Sequence, residues 1–207
     1  MSIHRNELVR DDKDGATPTF TAFDGERRIA HGTLADVALA VKRAEERGAS
    51  GTVLVFDDAT GRVTDVWTEG TDEAVSRRYA ERPAAEAPAE GDAARRRGRP
   101  RLGVVAREVT LLPRHWEWLA AQPGGASVAL RKLVEEARRA NAGQDETRRR
   151  REAAYRFATA LAGDLPGYEE AMRALFAGDR ERFEEQSASW PADVREHTLA
   201  LAFPRAG

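Results

Sequence analysis

The chain has 207 residues, of which 41% are apolar and 33% charged, a length that suits one medium domain or two small ones and excludes a large enzyme scaffold. It holds no cysteine and four scattered histidines, His4, His31, His115 and His197, which excludes disulfides, thiol catalysis and thiolate metal sites and leaves too few histidines for a cage of their own. The net charge of -2, the lack of a long apolar run and a start unlike a signal peptide predict a soluble, cytoplasmic protein without metal or cofactor.

Residues 1–16 are polar, with Asp11, Asp12, Lys13, Asp14 and Gly15 in succession, and read as a loose arm. Thr17 to Phe23 is rich in threonine and aromatics, Asp24-Gly25 is a two-residue hairpin signal, and Glu26 to Ala30 returns as a second strand. Thr33 then caps a helix whose Leu34, Val37, Ala38 and Val41 recur at i, i+3, i+4 and i+7, and Gly48 ends it. Val53 to Phe56 is an apolar strand, Asp57 to Gly61 a turn, and Arg62 to Trp67 its partner strand. Residues 17–70 are therefore expected to form a small ββαββ domain.

Residues 71–100 contain Pro83, Pro88 and Pro100 and almost no large apolar side chain after Tyr79, so they read as a linker, with a frayed helix near Asp72 to Arg82. A basic module over residues 101–142 follows. The C-terminal part, residues 143–207, is expected to be helical: a helix over 144–162 carries Ala154, Phe157, Ala158 and Leu161 on one face and stops at Gly163 and Pro166-Gly167. Tyr168, Ala171, Met172, Leu175 and Phe176 mark the next helix, Phe183 a third, and Pro191 opens a fourth with Val194, His197, Thr198 and Leu201. The fold class is thus α+β.

The near-neutral total conceals segregation. Residues 1–94 carry a net -7, residues 95–142 a net +7 and residues 143–207 a net -2. A basic block inside an acidic chain suits a polyanion, because neutralising phosphates releases condensed counterions. Thirty of the 33 basic residues are arginine, so compositional bias scatters some of them, but bias does not concentrate seven net charges in one short region.

Two motifs occupy that region. Arg95-Arg96-Arg97-Gly98-Arg99-Pro100-Arg101 resembles the AT-hook, a minor-groove peptide centred on Arg-Gly-Arg-Pro. The glycine lets the backbone approach the groove floor and the proline keeps the peptide extended. The resemblance implies that Arg97 and Arg99 insert while Arg95, Arg96 and Arg101 meet phosphates. An arginine-rich linker with nonspecific phosphate affinity is the plainer reading.

Arg107 to Ala140 resembles the ribbon-helix-helix DNA-binding proteins of bacteria. Val109-Thr110-Leu111-Leu112 reads as a strand, Pro113 opens a helix with Trp116 and Leu119, and Gln122 to Gly125 is a tight turn. Ser127 caps a second helix with Leu130, Leu133, Val134 and Ala137. The resemblance implies a homodimer through Val109 to Leu112 and the following helices, with paired strands in the major groove and second-helix amides on a phosphate. With Leu112 facing the core, Arg107, Val109 and Leu111 face the DNA, and two of those three cannot hydrogen-bond a base edge. The competing reading is a strand and helical hairpin that only build a core or interface.

Other features favour structure over chemistry. Arg148 to Arg151 reads as a solvated helix face, Trp116 as a core residue, Trp118 as an interface residue, and His115 and His197 as structural histidines. Pairs such as Asp57-Asp58 and Glu169-Glu170 stand where solvation explains them, and no phosphate-loop, nucleophile-elbow or zinc-protease motif is present.

Over its whole length the chain also resembles a bacterial domain-of-unknown-function family, numbered twenty-two thirty-nine. The likeness lies in Thr17 to Trp67, in Trp116-Glu117-Trp118-Leu119 through Ser127, and in Ala162-Gly163-Asp164-Leu165-Pro166-Gly167-Tyr168 through Trp190-Pro191-Ala192-Asp193. It implies no activity. The sequence reading is a dimeric DNA-binding protein, either a transcriptional regulator or nucleoid-associated, with phosphate-dominated, AT-biased affinity. A non-catalytic dimerisation or protein-interaction module is the alternative, and an enzyme with an unrecognised carboxylate site a third.

Overall fold

A computed structural model describes residues 17–49, 51–80 and 107–204. The chain divides into two units, one formed by residues 1–82 with 148–207 and the other by residues 83–147. The AT-hook-like run Arg95 to Arg101 and the arm over residues 1–16 lie outside the described residues.

The first unit is built on an antiparallel sheet of strands β1 (Phe20–Asp24), β2 (Arg27–Gly32), β3 (Val53–Asp57) and β4 (Arg62–Val63), in the order β2-β1-β3-β4. The β1–β2 hairpin turns where Asp24-Gly25 predicts, and Gly25 adopts φ +59, which glycine accepts without the Cβ penalty. Helix α1 (Leu34–Glu46) starts as expected, because the Thr33 side chain accepts from the Asp36 amide.

Alternation assigns the two sheet faces. Ala22 lies opposite Val55, and both join Val37 and Val41 of α1 in one cluster. Thr21 lies opposite Phe56 and Phe23 opposite Leu54, so these four share the other face. There Phe23 and Phe56 enter the larger core with Phe157, Leu175, Phe183 and Val194. The Phe157 ring centroid is 5.1 Å from that of Phe23 and 4.8 Å from that of Phe56, and such aromatic pairs contribute about 0.5–1.5 kcal/mol each beyond burial.

Strand β4 is shorter than expected. After Val63 the chain leaves the sheet, and the Trp67 amide donates to the Tyr79 hydroxyl at 2.6 Å while Arg78 stacks 5.0 Å over the Trp67 ring. Tyr79 lies on helix α2 (Asp72–Ala80), which forms where a frayed helix was expected. Its buried Val75, together with the Asp72 ion pairs to Lys42 and Arg43 of α1, makes residues 72–80 part of the folded unit rather than of a linker.

Helix α3 (Pro113–Ala120) begins at proline as predicted, and α4 (Gly125–Ala162) follows. Two expectations are corrected here. Ser127 does not cap α4, which starts two residues earlier at Gly125, where Gly124 and Gly125 turn the chain at φ +85 and +74. The helices expected up to Ala140 and from residue 144 are one helix of 38 residues. No proline interrupts it, a single interior glycine costs only about 1 kcal/mol, and Asn141 and Thr147 donate back to the Ala137 and Gly143 carbonyls.

Helices α5 (Tyr168–Ala177), α6 (Arg180–Gln186) and α7 (Ala192–Ala202) complete the first unit at the positions the apolar spacing indicated. Among the described residues, no helix is long and apolar enough to cross a membrane.

Candidate functional site

The second unit holds the described part of the candidate nucleic-acid interface. Residues 107–112 carry no regular secondary structure, so the strand expected at Val109 to Leu112 is not formed within the single chain. A strand needs a partner ladder, and among the described residues of this unit none stands beside it. Leu112 occupies the cap position of α3 at φ -67 and ψ 149, an extended backbone.

This unit buries little. Leu119 and Ala129 are covered, whereas Val109, Leu112, Trp116, Trp118, Leu133 and Val134 are exposed, Trp118 at 53% and Val134 at 63%. That corrects the placement of Trp116 in a core; in one chain Leu111 is half-buried and Leu112 exposed. The exposed Ser127 accepts through its carbonyl from Arg131 Nε at 3.1 Å. Arg107, also exposed, stands at the start of the extended segment. On α4, Glu135 bonds Arg138 and Arg139, and the Arg138 guanidinium holds its carboxyl below the ordinary range.

The third arginine run is placed differently. Arg151 donates to the Phe176 carbonyl at 2.8 Å, joining α4 to α5 within the first unit.

A polar cluster that sequence reasoning missed sits on the core-facing side of the sheet. Thr21 of β1 pairs with His31 of β2, and Asp58 follows β3 with the parity of Leu54 and Phe56, so all three point to the side covered by α7. The Asp58 side chain is only 11% exposed, which corrects its reading as a solvated turn carboxylate. Asp57, one residue earlier, instead accepts the Ala59 and Thr60 amides in the turn. Gly61 closes that turn at φ +65, and a Cβ there would overlap the Ala153 backbone of α4. Arg156 of the same helix donates to the Thr60 carbonyl at 2.9 Å.

The Thr21 hydroxyl donates its one proton to Asp58 Oδ1 at 2.8 Å, so toward His31 Nδ1, at 3.0 Å, it is the acceptor. From α7, His197 Nε2 comes within 3.4 Å of Asp58 Oδ1, with Phe23 and Phe157 against its ring. This contact is not a formed hydrogen bond, since neither His197 Nε2 nor Asp58 Oδ2 meets a hydrogen-bond partner among the described residues. Burial pushes the Asp58 carboxyl up, but His197, Thr21 and Thr19 outweigh it and hold the group below its ordinary value of 3.8.

Thr21 is fully buried, so its hydroxyl is out of a substrate's reach. The cluster acts as a cross-link among β1, β2, the β3–β4 turn and α7. Its signal in the sequence was parity alone, since Leu54, Phe56 and Asp58 alternate to one face.

No curated protein and no solved structure matches the chain at a significant level. A family model does, over residues 19–202, which span the sheet, the helical hairpin and the C-terminal helices. On that match the chain belongs to the bacterial family described as "Uncharacterized protein conserved in bacteria (DUF2239)".

Proposed function

We propose that the protein is a homodimeric DNA-binding protein whose second unit supplies both the dimer contact and the phosphate-binding surface. The observation that carries this reading is the apolar surface that one copy of the unit leaves in water. Leu112, Trp116, Trp118, Leu133 and Val134 are all exposed within the α3–α4 segment and the residue before it. Such a concentration of large apolar groups is costly in water and marks a contact surface. A second copy brings the missing strand as well as apolar cover, because an extended segment pairs antiparallel with its own symmetry mate.

Charge supports the polyanion. The net +7 over residues 95–142 includes Arg114 on α3, Arg131 and Lys132 on α4, and Arg107 and the Arg95 to Arg101 run before them. A dimer doubles that charge along one face of a duplex, and affinity rests on phosphates, because Val109 and Leu111 give no base-edge hydrogen bond. The AT-hook-like arginines add the AT bias through the minor groove.

The test pairs sedimentation with a duplex titration on the full chain. We expect a dimer at micromolar concentration that shifts AT-rich and GC-rich duplexes, the former more tightly. A monomer that binds neither duplex at low salt refutes the reading, and a dimer that binds neither makes the unit a dimerisation module only.

A further inference from the structure

We propose that a cavity in the first unit, between the β2 edge and α7, binds a small amphipathic carboxylate: an organic acid with one anionic head and an apolar body. The inference concerns residues remote in sequence from the basic module and does not rest on the DNA-binding reading.

The cavity measures about 670 Å³, within the range of about 300–1,000 Å³ that small-molecule sites occupy. One wall is a helical stripe. Glu196, Leu199 and Ala200 of α7 follow at i, i+3 and i+4, and Phe203, just past its end, lines the cavity with them. The lining also includes two arginines from separate elements, Arg28 of β2 and Arg180 at the start of α6.

Local bonds hold these parts in register. The Arg28 amide, on the sheet edge, donates to Asp193 Oδ2 at 2.8 Å, which ties β2 to the first turn of α7. That bond uses the backbone of Arg28, and its guanidinium has no hydrogen bond or ion pair among the described residues. Arg180 gives Nε to Glu184 at 2.7 Å, which leaves its Nη groups for a ligand. Glu196 lines the same cavity without pairing with either arginine.

Ligand chemistry follows from this lining. Two guanidiniums against one carboxylate give a net positive rim, and guanidinium forks match a carboxylate in bidentate geometry. Leu199, Ala200 and Phe203 offer no hydrogen bonds, so a bare inorganic anion leaves them in contact with water, whereas an alkyl or aryl body covers them. A neutral apolar molecule would leave both arginines unused.

Calorimetric titration of the full chain with octanoate, octanol and acetate separates these terms. We expect saturable binding of one octanoate per chain, with octanol and acetate each weaker by about tenfold or more, the loss expected from one charge-assisted contact or from the apolar body. The double variant Arg28→Gln/Arg180→Gln should lower octanoate affinity to that of octanol. Ala200→Trp, at an exposed position on the stripe, should fill the cavity and abolish binding while leaving the circular dichroism unchanged. Glu196→Gln should tighten octanoate. Octanol binding as tightly as octanoate, acetate matching octanoate, no saturable binding up to millimolar octanoate, or octanoate affinity unmoved by the arginine changes would each overturn the proposal.

Discussion

Asp58 offers the sharpest test of the fold. It joins four elements, receiving the Thr21 hydroxyl at 2.8 Å and standing 3.3 Å from His31 and 3.4 Å from His197. In Asp58→Ala the Thr21 hydroxyl loses its acceptor and the buried His197 ring loses its polar neighbour. A hydrogen bond to a charged group contributes about 1.5–3 kcal/mol, and orphaning a buried donor adds to the loss, so we expect about 3 kcal/mol of destabilisation. For a chain of this size that lowers Tm by roughly 6–12 °C. Asp58→Asn keeps an oxygen for Thr21 and should cost about half as much. The exposed Asp65→Ala is the control, within about 0.5 kcal/mol of wild type.

The pH dependence has a definite sign. The folded carboxyl titrates below its ordinary value of 3.8, so its contribution is fully present above that value and is lost as pH falls through the lower, folded one. The gap between wild type and Asp58→Asn should narrow below about pH 4. Urea unfolding followed by circular dichroism at a series of pH values measures it. A gap that does not narrow below about pH 4, or an Asp58→Ala variant as stable as Asp65→Ala, refutes the cross-link.

Other substitutions probe other parts. Gly61→Ala places a Cβ against the Ala153 backbone at a left-handed φ, and we expect about 3 kcal/mol or more lost in thermal unfolding. Val134→Glu, at an exposed position, should leave helix content unchanged in circular dichroism yet turn the dimer into monomer in sedimentation. Neutralising Arg97 and Arg99 together should weaken duplex binding and remove its AT preference, whereas Arg149→Gln/Arg150→Gln should do less. Equal losses from the two pairs in anisotropy titrations show charge alone at work.

How far the sequence carried depended on whether the deciding interaction was local. The Asp24-Gly25 hairpin, the Thr33 cap, the Pro113 helix start and the apolar stripes of α5 and α7 are short-range signals, and each element stands where they put it. The early end of β4 was not readable, because it depends on Tyr79 taking the Trp67 amide from another element. The merger of two expected helices into α4 was misread because Gly143 weakens a helix without ending one. Asp58 looked like a turn carboxylate by neighbourhood. Its burial follows from strand parity, but what covers that face is α7, well over a hundred positions further along the chain. Trp116 kept helical spacing toward a core that a single copy of its unit does not contain.

The salt dependence of duplex affinity tests the central claim most directly. If phosphate contacts from the basic module carry binding, log affinity should fall linearly with log salt, by about 0.9 for each phosphate neutralised. Anisotropy titrations of one AT-rich and one GC-rich duplex across about 50–200 mM salt should give steep parallel lines, the AT-rich duplex bound more tightly at each point. A flat line, no binding at micromolar protein in the lowest salt, or one defined sequence bound about a thousandfold tighter than others of equal composition would contradict the account.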